Sequence, residues 1–257
     1  MDLKLTDHIA IVTGASKGIG RAIAETLLAE GMRVAAIARS APLLDSLAAG
    51  HGDRCYPIAA DLSEPAAPAR AVEAVVARFS GLHVLVNNAG ATKRGDFLTM
   101  TDADWEDGFG LKFYAGMRLS RAAWPHLQRS GGSIVNIVGI GGRTGSAEFA
   151  VGGAVNAAIL NLTKALADRG VRDGVRVNAI NPGGIATERL QTRVQSFAAE
   201  QGLDGAAAET QLARTMGVAR FGTPEEIARL VAYLASPLAS YCQGAIIDAD
   251  GGATRTL

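Results

Sequence analysis

A glycine-rich turn near the amino terminus has the residue types and the spacing to bind a phosphate. The turn contains Gly14, Gly18 and Gly20. The short apolar run 9–12 precedes it, and a stretch with helical periodicity, 21–28, follows it. A strand, a glycine turn and a helix in this order are the context of a dinucleotide-binding fingerprint, in which the first N–H groups of the helix face the pyrophosphate. A plain structural turn would use the same glycines, so this interpretation depends on the rest of the chain.

A second candidate contact to a nucleotide lies at the end of the next apolar run, 33–38. Arg39 follows this run, nineteen positions after Gly20, where a dinucleotide fold reads the adenosine ribose. An acidic residue there favours NAD and a basic one favours NADP, and positions 38–40 contain no carboxylate. Arg39, through its planar guanidinium, and Lys17 could together hold a 2′-phosphate. The alternative is that both are solvated surface cations. The sequence favours NADP (NADPH) over NAD.

The spacing of the three glycines, with three intervening residues and then one, resembles the short-chain dehydrogenase/reductase superfamily. The block 87–90, Asn-Asn-Ala-Gly, looks like the second signature of that superfamily at its usual distance from the first. The resemblance implies hydride transfer between a nicotinamide cofactor and a carbonyl or alcohol. It also implies that Asp61 and Leu62 line the adenine, and that the loop 182–187 reaches the nicotinamide carboxamide and the phosphates.

The cofactor-binding residues predicted from the two motifs and from this resemblance are Gly14, Ser16, Lys17, Gly18, Ile19, Gly20, Arg39, Asp61, Leu62, Asn88, Ala89, Gly90, Pro182, Gly183, Ile185 and Thr187.

The resemblance also implies where the residues that handle the proton would lie. The tyrosine of the superfamily passes the proton. A lysine lies four residues later, a serine thirteen residues earlier, and an asparagine on the preceding long helix. The ammonium is needed because a phenol with a pKa of about 10 is a poor acid–base at neutral pH. In this chain the asparagine, serine, tyrosine and lysine positions are occupied by Lys112, Gly139, Gly152 and Asn156. A small shift of the alignment does not restore the set, since no tyrosine lies between Tyr114 and Tyr233.

Lysine and asparagine have thus exchanged helices relative to the superfamily pattern, so an ammonium and an amide could still meet near the nicotinamide ribose. We predict catalytic roles for Lys112, Asn156 and Glu148, with Arg143 as the alternative to Glu148. The competing interpretation is a solvated Lys112 and a simple loop carboxylate. Two adjacent glycines, 152–153, cost a helix about 1 kcal/mol each relative to alanine. They indicate room for a bulkier ligand or for a side chain from elsewhere, although neutral drift in an inactive site would also explain them.

Alternating strands and helices predict the elements that position these residues. The predicted strands are 9–12, 33–38, 54–60, 84–87, 132–138, 176–181 and 245–248, and the predicted helices are 21–28, 65–79, 101–128, 150–172 and one that begins at Thr223. This pattern predicts an α/β fold, a single doubly wound parallel sheet of Rossmann type over residues 1–257. The polar, alanine-rich segment 188–218 lies where the resembled superfamily has a mobile substrate lid.

The composition restricts the function classes. Lys+Arg and Asp+Glu number 25 each, so the net charge gives no support for a nucleic-acid or membrane-surface role. Cys55 and Cys242 are too isolated to indicate a disulfide framework or a metal site. The amino terminus lacks the basic-then-apolar order of a signal peptide, and no run approaches the ~18 apolar residues of a membrane span. We therefore expect a cytoplasmic protein.

The sequence favours two classes of function. The first is an NADP(H)-dependent oxidoreductase that acts on a small carbonyl or alcohol substrate with a non-standard proton donor. The second is a catalytically inactive NADP(H)-binding sensor or oligomer partner. A lyase or isomerase step on the same fold is disfavoured by the intact cofactor motifs. The resemblance further implies a homodimer or homotetramer, assembled through the two long central helices and the last strand.

Overall fold

Seven short, mostly apolar runs form one parallel sheet, as predicted. The computed structural model describes residues 1–255. The strands are β1 Ile9–Thr13, β2 Arg33–Ala38, β3 Cys55–Ala59, β4 Val84–Asn87, β5 Ser133–Ile137, β6 Arg176–Pro182 and β7 Ile246–Ala249. Their order across the sheet is β3-β2-β1-β4-β5-β6-β7, and all neighbours are parallel. This order confirms the doubly wound, Rossmann-type architecture.

Helices cover both faces of the sheet, because strands buried on both sides need apolar partners on each. The helices among residues 1–255 are α1 Gly18–Ala29, α2 Ala41–Ala48, α3 Ala67–Phe79, α4 Asp102–Phe109, α5 Ala115–Ser130, α6 Ala150–Asp173, α7 Glu188–Gln201, α8 Gly205–Thr215 and α9 Pro224–Ala235. Side chains of α1, α2 and α9 join one hydrophobic core, and those of α3, α5 and α6 join the other. Helix α2 has no counterpart among the predicted elements.

The direction of strand addition reverses between β1 and β4, and this reversal positions the site. Strands added in opposite directions leave a crevice at their carboxyl ends, where ligands of open α/β sheets bind. The glycine turn follows β1, and the Asn-Asn-Ala-Gly block follows β4. Both predicted cofactor motifs therefore lie at this crevice.

The prediction of one uninterrupted helix over 101–128 is wrong. Helix α4 begins with a capping box, in which Thr101 and Asp104 exchange hydrogen bonds. A wider π turn, Gly110–Tyr114, then separates α4 from α5, and the Ala115 N–H donates to the carbonyl of Gly110, five residues back. Apolar periodicity does not reveal the insertion of one residue into a helical turn, so the pattern could not show this break.

The segment 188–218 folds into α7 and α8 with a small core of its own. Leu190 on α7 and Leu212 on α8 pack with Val218 and Phe221, separate from the two cores of the sheet. The segment contains two helices joined at a glycine. Gly202 ends α7 in a left-handed conformation with a φ of +65°.

One helical stretch corrects the expectation that no segment reaches the length and hydropathy of a membrane span. By its length and composition alone, the helical stretch 147–173 could cross a membrane. This stretch contains α6, the crossover helix between β5 and β6, and its apolar residues Val151, Val155 and Ile159 are buried against the fold. The hydropathy of the stretch thus reflects a helix packed on the sheet.

Two stacked histidines near the amino ends of β1 and β4 make the stability dependent on pH. The rings of His8 and His83 lie 4.6 Å apart at 7°, and His83 Nδ1 accepts a hydrogen bond from the Ile9 N–H at 3.1 Å. Burial lowers the pKa of both rings, and for His83 the neighbouring His8 adds to the lowering. Protonation also removes the acceptor at Nδ1.

Because the folded-state pKa values lie below the unfolded value of about 6.5, the unfolded chain binds protons more readily in acid. We expect the free energy of unfolding to fall as the pH drops below about 6.5. Thermal unfolding between about pH 8 and about pH 5.5 measures this effect. His83→Gln should flatten the slope and His51→Gln, outside the pair, should not. Equal slopes in all three proteins would contradict the assignment.

Candidate functional site

The turn after β1 forms a cradle that side chains would fill. A Cβ at Gly20 would collide with the carbonyl oxygen of Gly14 and the side-chain amide of Asn88. Gly18 has a φ of +56°, and a Cβ on it would lie 3.3 Å from Thr187 Cγ2. The exposed backbone of the turn therefore fits a pyrophosphate that approaches the amino terminus of α1.

Hydrogen bonds tie this turn to the second motif. Thr13 Oγ1 accepts from the N–H groups of Asn88 and Ala89, both at 2.9 Å, and donates to the Val86 carbonyl at 3.2 Å. Asn88 Nδ2 donates to the Thr13 carbonyl at 2.9 Å. The two motifs thus form one rigid unit across the reversal point. Thr13 is a contributor that the sequence reasoning did not identify, although its position directly before the first glycine is a usable signal.

Arg39 and Lys17, the residues predicted to bind a 2′-phosphate, contact different partners. Arg39 is exposed and acts on Asp61, whose pKa is lowered by hydrogen bonds from Ser63 and, to a smaller extent, by the charge of Arg39. Lys17 forms an ion pair with Glu188 at 2.7 Å, with both side chains exposed. Leu62, at 3% exposure, is part of the core. Arg39 remains available to a 2′-phosphate, whereas Lys17 would have to leave Glu188 to reach one.

The loop after β6 closes the other side of the crevice. The Gly183 N–H donates to the Ala249 carbonyl at 3.2 Å, and Ile185 pairs with Gly222 in an isolated parallel bridge. Thr187 Oγ1 donates to the Ile185 carbonyl at 3.3 Å, and Thr187 precedes α7. The loop is thereby held between the sheet and α7, with Thr187 next to Gly18.

Lys112 and Asn156 meet, as predicted. Lys112 Nζ donates to Asn156 Oδ1 at 2.6 Å and to the Val138 carbonyl at 2.7 Å. The aliphatic stem of Lys112 lies against Gly90, where a Cβ would come within 2.7 Å of Lys112 Cγ. The competing interpretation, a solvated lysine, is wrong: the ammonium lies at the carboxyl end of β5, beside the second cofactor motif.

Burial controls the chemistry of this ammonium. Burial lowers the pKa of Lys112 to about 8, and the charge of Arg189 adds to the lowering. No carboxylate accepts a hydrogen bond from Lys112 within residues 1–255. Of its three N–H donors, two have protein acceptors. An ammonium of this pKa can give up a proton near neutral pH, as a general acid must.

A phenylalanine ring fills the space next to Gly152. A Cβ at Gly152 would collide with the ring of Phe149, and one at Gly141 would lie 2.9 Å from the same ring. The room predicted at the glycine pair is thus filled by a side chain, but by one from the start of the same helix and not from elsewhere in the fold. Phe149 was missed by the sequence reasoning, although its spacing of three residues from Gly152 is a helical signal.

Gly139, the position predicted to correspond to the serine, also leaves little room for a side chain. Gly139 has a φ of +135°, and a Cβ on it would lie 3.2 Å from Asn156 Nδ2. The Gly139 N–H donates to Asn181 Oδ1 at 3.3 Å, and Asn181 Nδ2 donates to Asp248 at 2.7 Å. A serine would therefore be strained in its backbone and crowded against Asn156.

Glu148 and Arg143 do not join Lys112. Arg143 pairs with Asp248 at 3.1 Å, which holds the loop after β5 against β7. Glu148 is exposed, and its charge acts on Arg94. The guanidinium of Arg94 lies 4.3 Å from the centroid of the Phe149 ring. The predicted proximity of a second polar group to Lys112 is therefore wrong for both residues, because their loop turns the two side chains towards other partners.

Comparisons with known proteins show which families this chain is similar to. Residues 14–254 match the family model described as enoyl-(acyl carrier protein) reductase. The short-chain reductase protein NovJ of Streptomyces niveus is 36% identical over 252 residues, which make up 96% of this chain and 94% of NovJ.

Solved structures show the same architecture. L-sorbose reductase from Gluconobacter frateurii, in complex with NADPH and L-sorbose, superimposes with a TM-score of 0.94 at 31% identity, with 100% of both chains covered. An NADPH-bound short-chain oxidoreductase from Pseudomonas aeruginosa PAO1, described as containing an atypical catalytic center, has a TM-score of 0.89 at 30% identity. That match covers 98% of this chain and 100% of the other.

Proposed function

Because this chain belongs to the short-chain dehydrogenase/reductase superfamily of oxidoreductases, we propose that it transfers hydride between NADP(H) and a small carbonyl or alcohol, with Lys112 as the proton donor. The observation that carries the proposal is the position of the Lys112 ammonium, hydrogen-bonded to Asn156 Oδ1 and the Val138 carbonyl beside the Asn-Asn-Ala-Gly motif. In this proposal Lys112, Gly139, Gly152 and Asn156 occupy all four catalytic positions of the superfamily, so the usual set is absent.

The cofactor would be held along the carboxyl edge of the sheet. The Gly14–Gly20 turn would bind the pyrophosphate, Asp61 and Leu62 would face the adenine, and the loop 182–187 would bind the nicotinamide side. When bound, the reduced nicotinamide supplies a hydride to the carbonyl carbon. The chain supplies the matching proton: Lys112 stabilises the charge that grows on the substrate oxygen and then donates from Nζ.

Asn156 and the Val138 carbonyl act as positioning groups. Both accept from Lys112 Nζ, and they fix two of its donors without neutralising its charge. A carboxylate in the place of Asn156 would raise the pKa of the ammonium and weaken it as an acid. An amide therefore suits a lysine that must lose its proton near neutral pH.

The second candidate is a cofactor-binding protein without turnover. The Phe149 ring favours it, since an apolar group fills the space next to Gly152, the proposed tyrosine position. Calorimetry and NADPH oxidation separate the two. The proposed enzyme binds NADPH more tightly than NADH and oxidises it with at least one member of a panel of ketones, aldehydes and quinones. Tight binding with no oxidation supports the sensor, and no binding of either nucleotide rejects both.

We predict that Arg39 determines the choice of cofactor. Its exposed guanidinium stands at the end of β2 with Asp61 as its charged neighbour. Arg39→Asp removes the charge that would bind a 2′-phosphate and adds repulsion, so the NADPH/NADH affinity ratio should fall by about 10- to 100-fold. Lys17→Ala serves as the comparison and should have a smaller effect, because that ammonium is engaged by Glu188. An unchanged ratio in Arg39→Asp would remove Arg39 from phosphate recognition.

The domain organisation, the lid, the assembly and the location also belong to the proposal. The whole chain, 1–257, is one dinucleotide-binding domain, and α7 and α8 form a lid over the substrate. The small separate core of these helices supports this division. A homodimer or homotetramer forms through α5, α6 and β7, supported by the exposed aromatic ring of Tyr114, the last residue of the π turn. Light scattering tests the assembly, and a cytoplasmic location follows from the soluble oxidoreductase role.

A further inference from the structure

We infer that the carbonyl substrate bears an anionic group, a carboxylate or a phosphate, and that Arg94, Arg189 and Arg193 bind it at the mouth of the site. The inference rests on the proposed function and adds the chemical class of its substrate. It starts from the Phe149 ring, which fills the space next to Gly152 and provides a flat surface for the guanidinium of Arg94.

The placement of Arg94 is specific. Its guanidinium carbon lies 4.3 Å from the centroid of the Phe149 ring, within the range of a cation–π contact. The Gly95 N–H donates to the Glu148 carbonyl at 3.1 Å, which joins the loop after β4 to the loop before α6. A stacked guanidinium keeps its edge N–H groups free for a bidentate acceptor.

Helix α7 supplies the other two cations. Arg189 and Arg193 are four residues apart and lie on the same face of α7. Like charges at this spacing disfavour an isolated helix, so an anion bound between the two side chains would stabilise it. The ion pair between Lys17 and Glu188 holds the first turn of α7 at the glycine turn, and Arg193 Nη1 contacts Met216 Sδ at 3.6 Å.

The charges of the two arginines on α7 reach Arg94, and one of them reaches Lys112. Arg193 and Arg189 both act on Arg94, and Arg189 also acts on Lys112. Glu148 is the one acidic group that opposes them at Arg94. Within the described residues, no carboxylate lies within 4 Å of any of the three guanidiniums. This excess of unpaired positive charge over the Lys112 side of the crevice matches an anionic ligand.

Matched pairs of carbonyl compounds test the inference on the full chain. Acetoacetate is compared with methyl acetoacetate, and dihydroxyacetone phosphate with dihydroxyacetone, each with NADPH. We expect one anionic member to exceed its neutral partner by about 10- to 100-fold in kcat/KM. Arg94→Gln and Arg193→Gln should reduce that ratio at least several-fold. Arg229→Gln, an exposed arginine on α9, is the matched control and should leave it unchanged.

Calorimetry with the NADP⁺-loaded protein gives a readout that does not require turnover. The anionic probe should bind, and both variants should weaken it by about 10-fold or more. Binding that is lost in the variants, in a protein without NADPH oxidation, supports the anion site at these arginines and rejects the proposed function. Equal behaviour of anionic and neutral probes in both readouts overturns the inference. The inference is also overturned if the variants weaken the binding of NADPH alone, because the arginines would then bind the cofactor. If Arg94→Gln fails to fold, the result for Arg193→Gln, at an exposed position of α7, tests the inference.

Discussion

Replacing Lys112 with alanine is expected to lower kcat/KM for NADPH-dependent carbonyl reduction by about 10²- to 10⁴-fold, the usual contribution of a positioned general acid. The ammonium lies at the carboxyl end of β5, where its hydrogen bonds to Asn156 and the Val138 carbonyl fix its position. Steady-state NADPH oxidation measures the loss. The affinity for NADPH should change much less, because the pyrophosphate cradle is formed by the Gly14–Gly20 turn.

The pH profile should carry the signature of this lysine. A general acid works in its protonated form, and the pKa of Lys112 is lowered to about 8. The kcat/KM for reduction should therefore be constant near neutral pH and fall as the pH rises through about 8. Asn156→Asp would place a carboxylate against the ammonium, raise its pKa and move the decline to higher pH.

Two variants control this experiment. Lys112→Arg keeps the positive charge but cannot release a proton in this range, so it separates proton donation from electrostatic stabilisation. Lys164→Ala, at an exposed lysine on α6, should behave as the parent. If Lys112→Ala and the parent oxidise NADPH at equal rates, Lys112 has no part in the reaction, and the cofactor-binding protein without turnover becomes the better explanation.

Restoring the tyrosine with Gly152→Tyr is expected to damage the protein. The Cβ of any residue at this position meets the Phe149 ring, and the ring is itself confined between Gly141 and Gly152. Overpacking of this kind typically costs about 1–3 kcal/mol, which corresponds to about 2–4 °C in Tm for each kcal/mol in a chain of this size. Thermal unfolding of the variant against the parent measures it.

The double variant with Phe149→Ala should recover most of the lost stability, because the ring is removed. Gly145→Ala is the matched control, since a Cβ there has no neighbour within 4 Å. Neither Gly152→Tyr nor the double variant should gain activity through the new phenol, because Asn156 supplies no ammonium four residues later. A stable and more active Gly152→Tyr protein would show that Phe149 is not a fixed part of the site.

The fold was accessible from the sequence because its signals are local. Strands such as 33–38 and 84–87 are short apolar runs with turns on both sides, and the structure reproduces both of these bounds. The capping box at Thr223, which begins α9, is a pattern of side-chain hydrogen bonds within four residues. The π turn and the division of 188–218 depend on packing against other elements, and the residue pattern does not contain that information.

Some contacts of the candidate site could also be predicted from the sequence, and others could not. The meeting of Lys112 and Asn156 could be predicted because the helices that carry them occupy fixed places in a doubly wound sheet. The Arg94 guanidinium could not, because its position depends on how the loop after β4 turns, and the stacking of Phe149 against it could not be predicted for the same reason. The partners of Arg143 and Glu148 were mispredicted for this reason, since nearness in sequence to the crevice does not fix the direction of a loop side chain.

The π turn at Gly110–Tyr114 has a consequence for how this site could arise or be lost. One additional residue per turn rotates everything beyond it by about 100° relative to a regular helix. Deleting Leu111 would let α4 and α5 merge into a continuous rod, swinging the amine of Lys112 off the sheet while the rod itself became more regular. A single-codon change in length would then disconnect the chemistry from a scaffold that still folds.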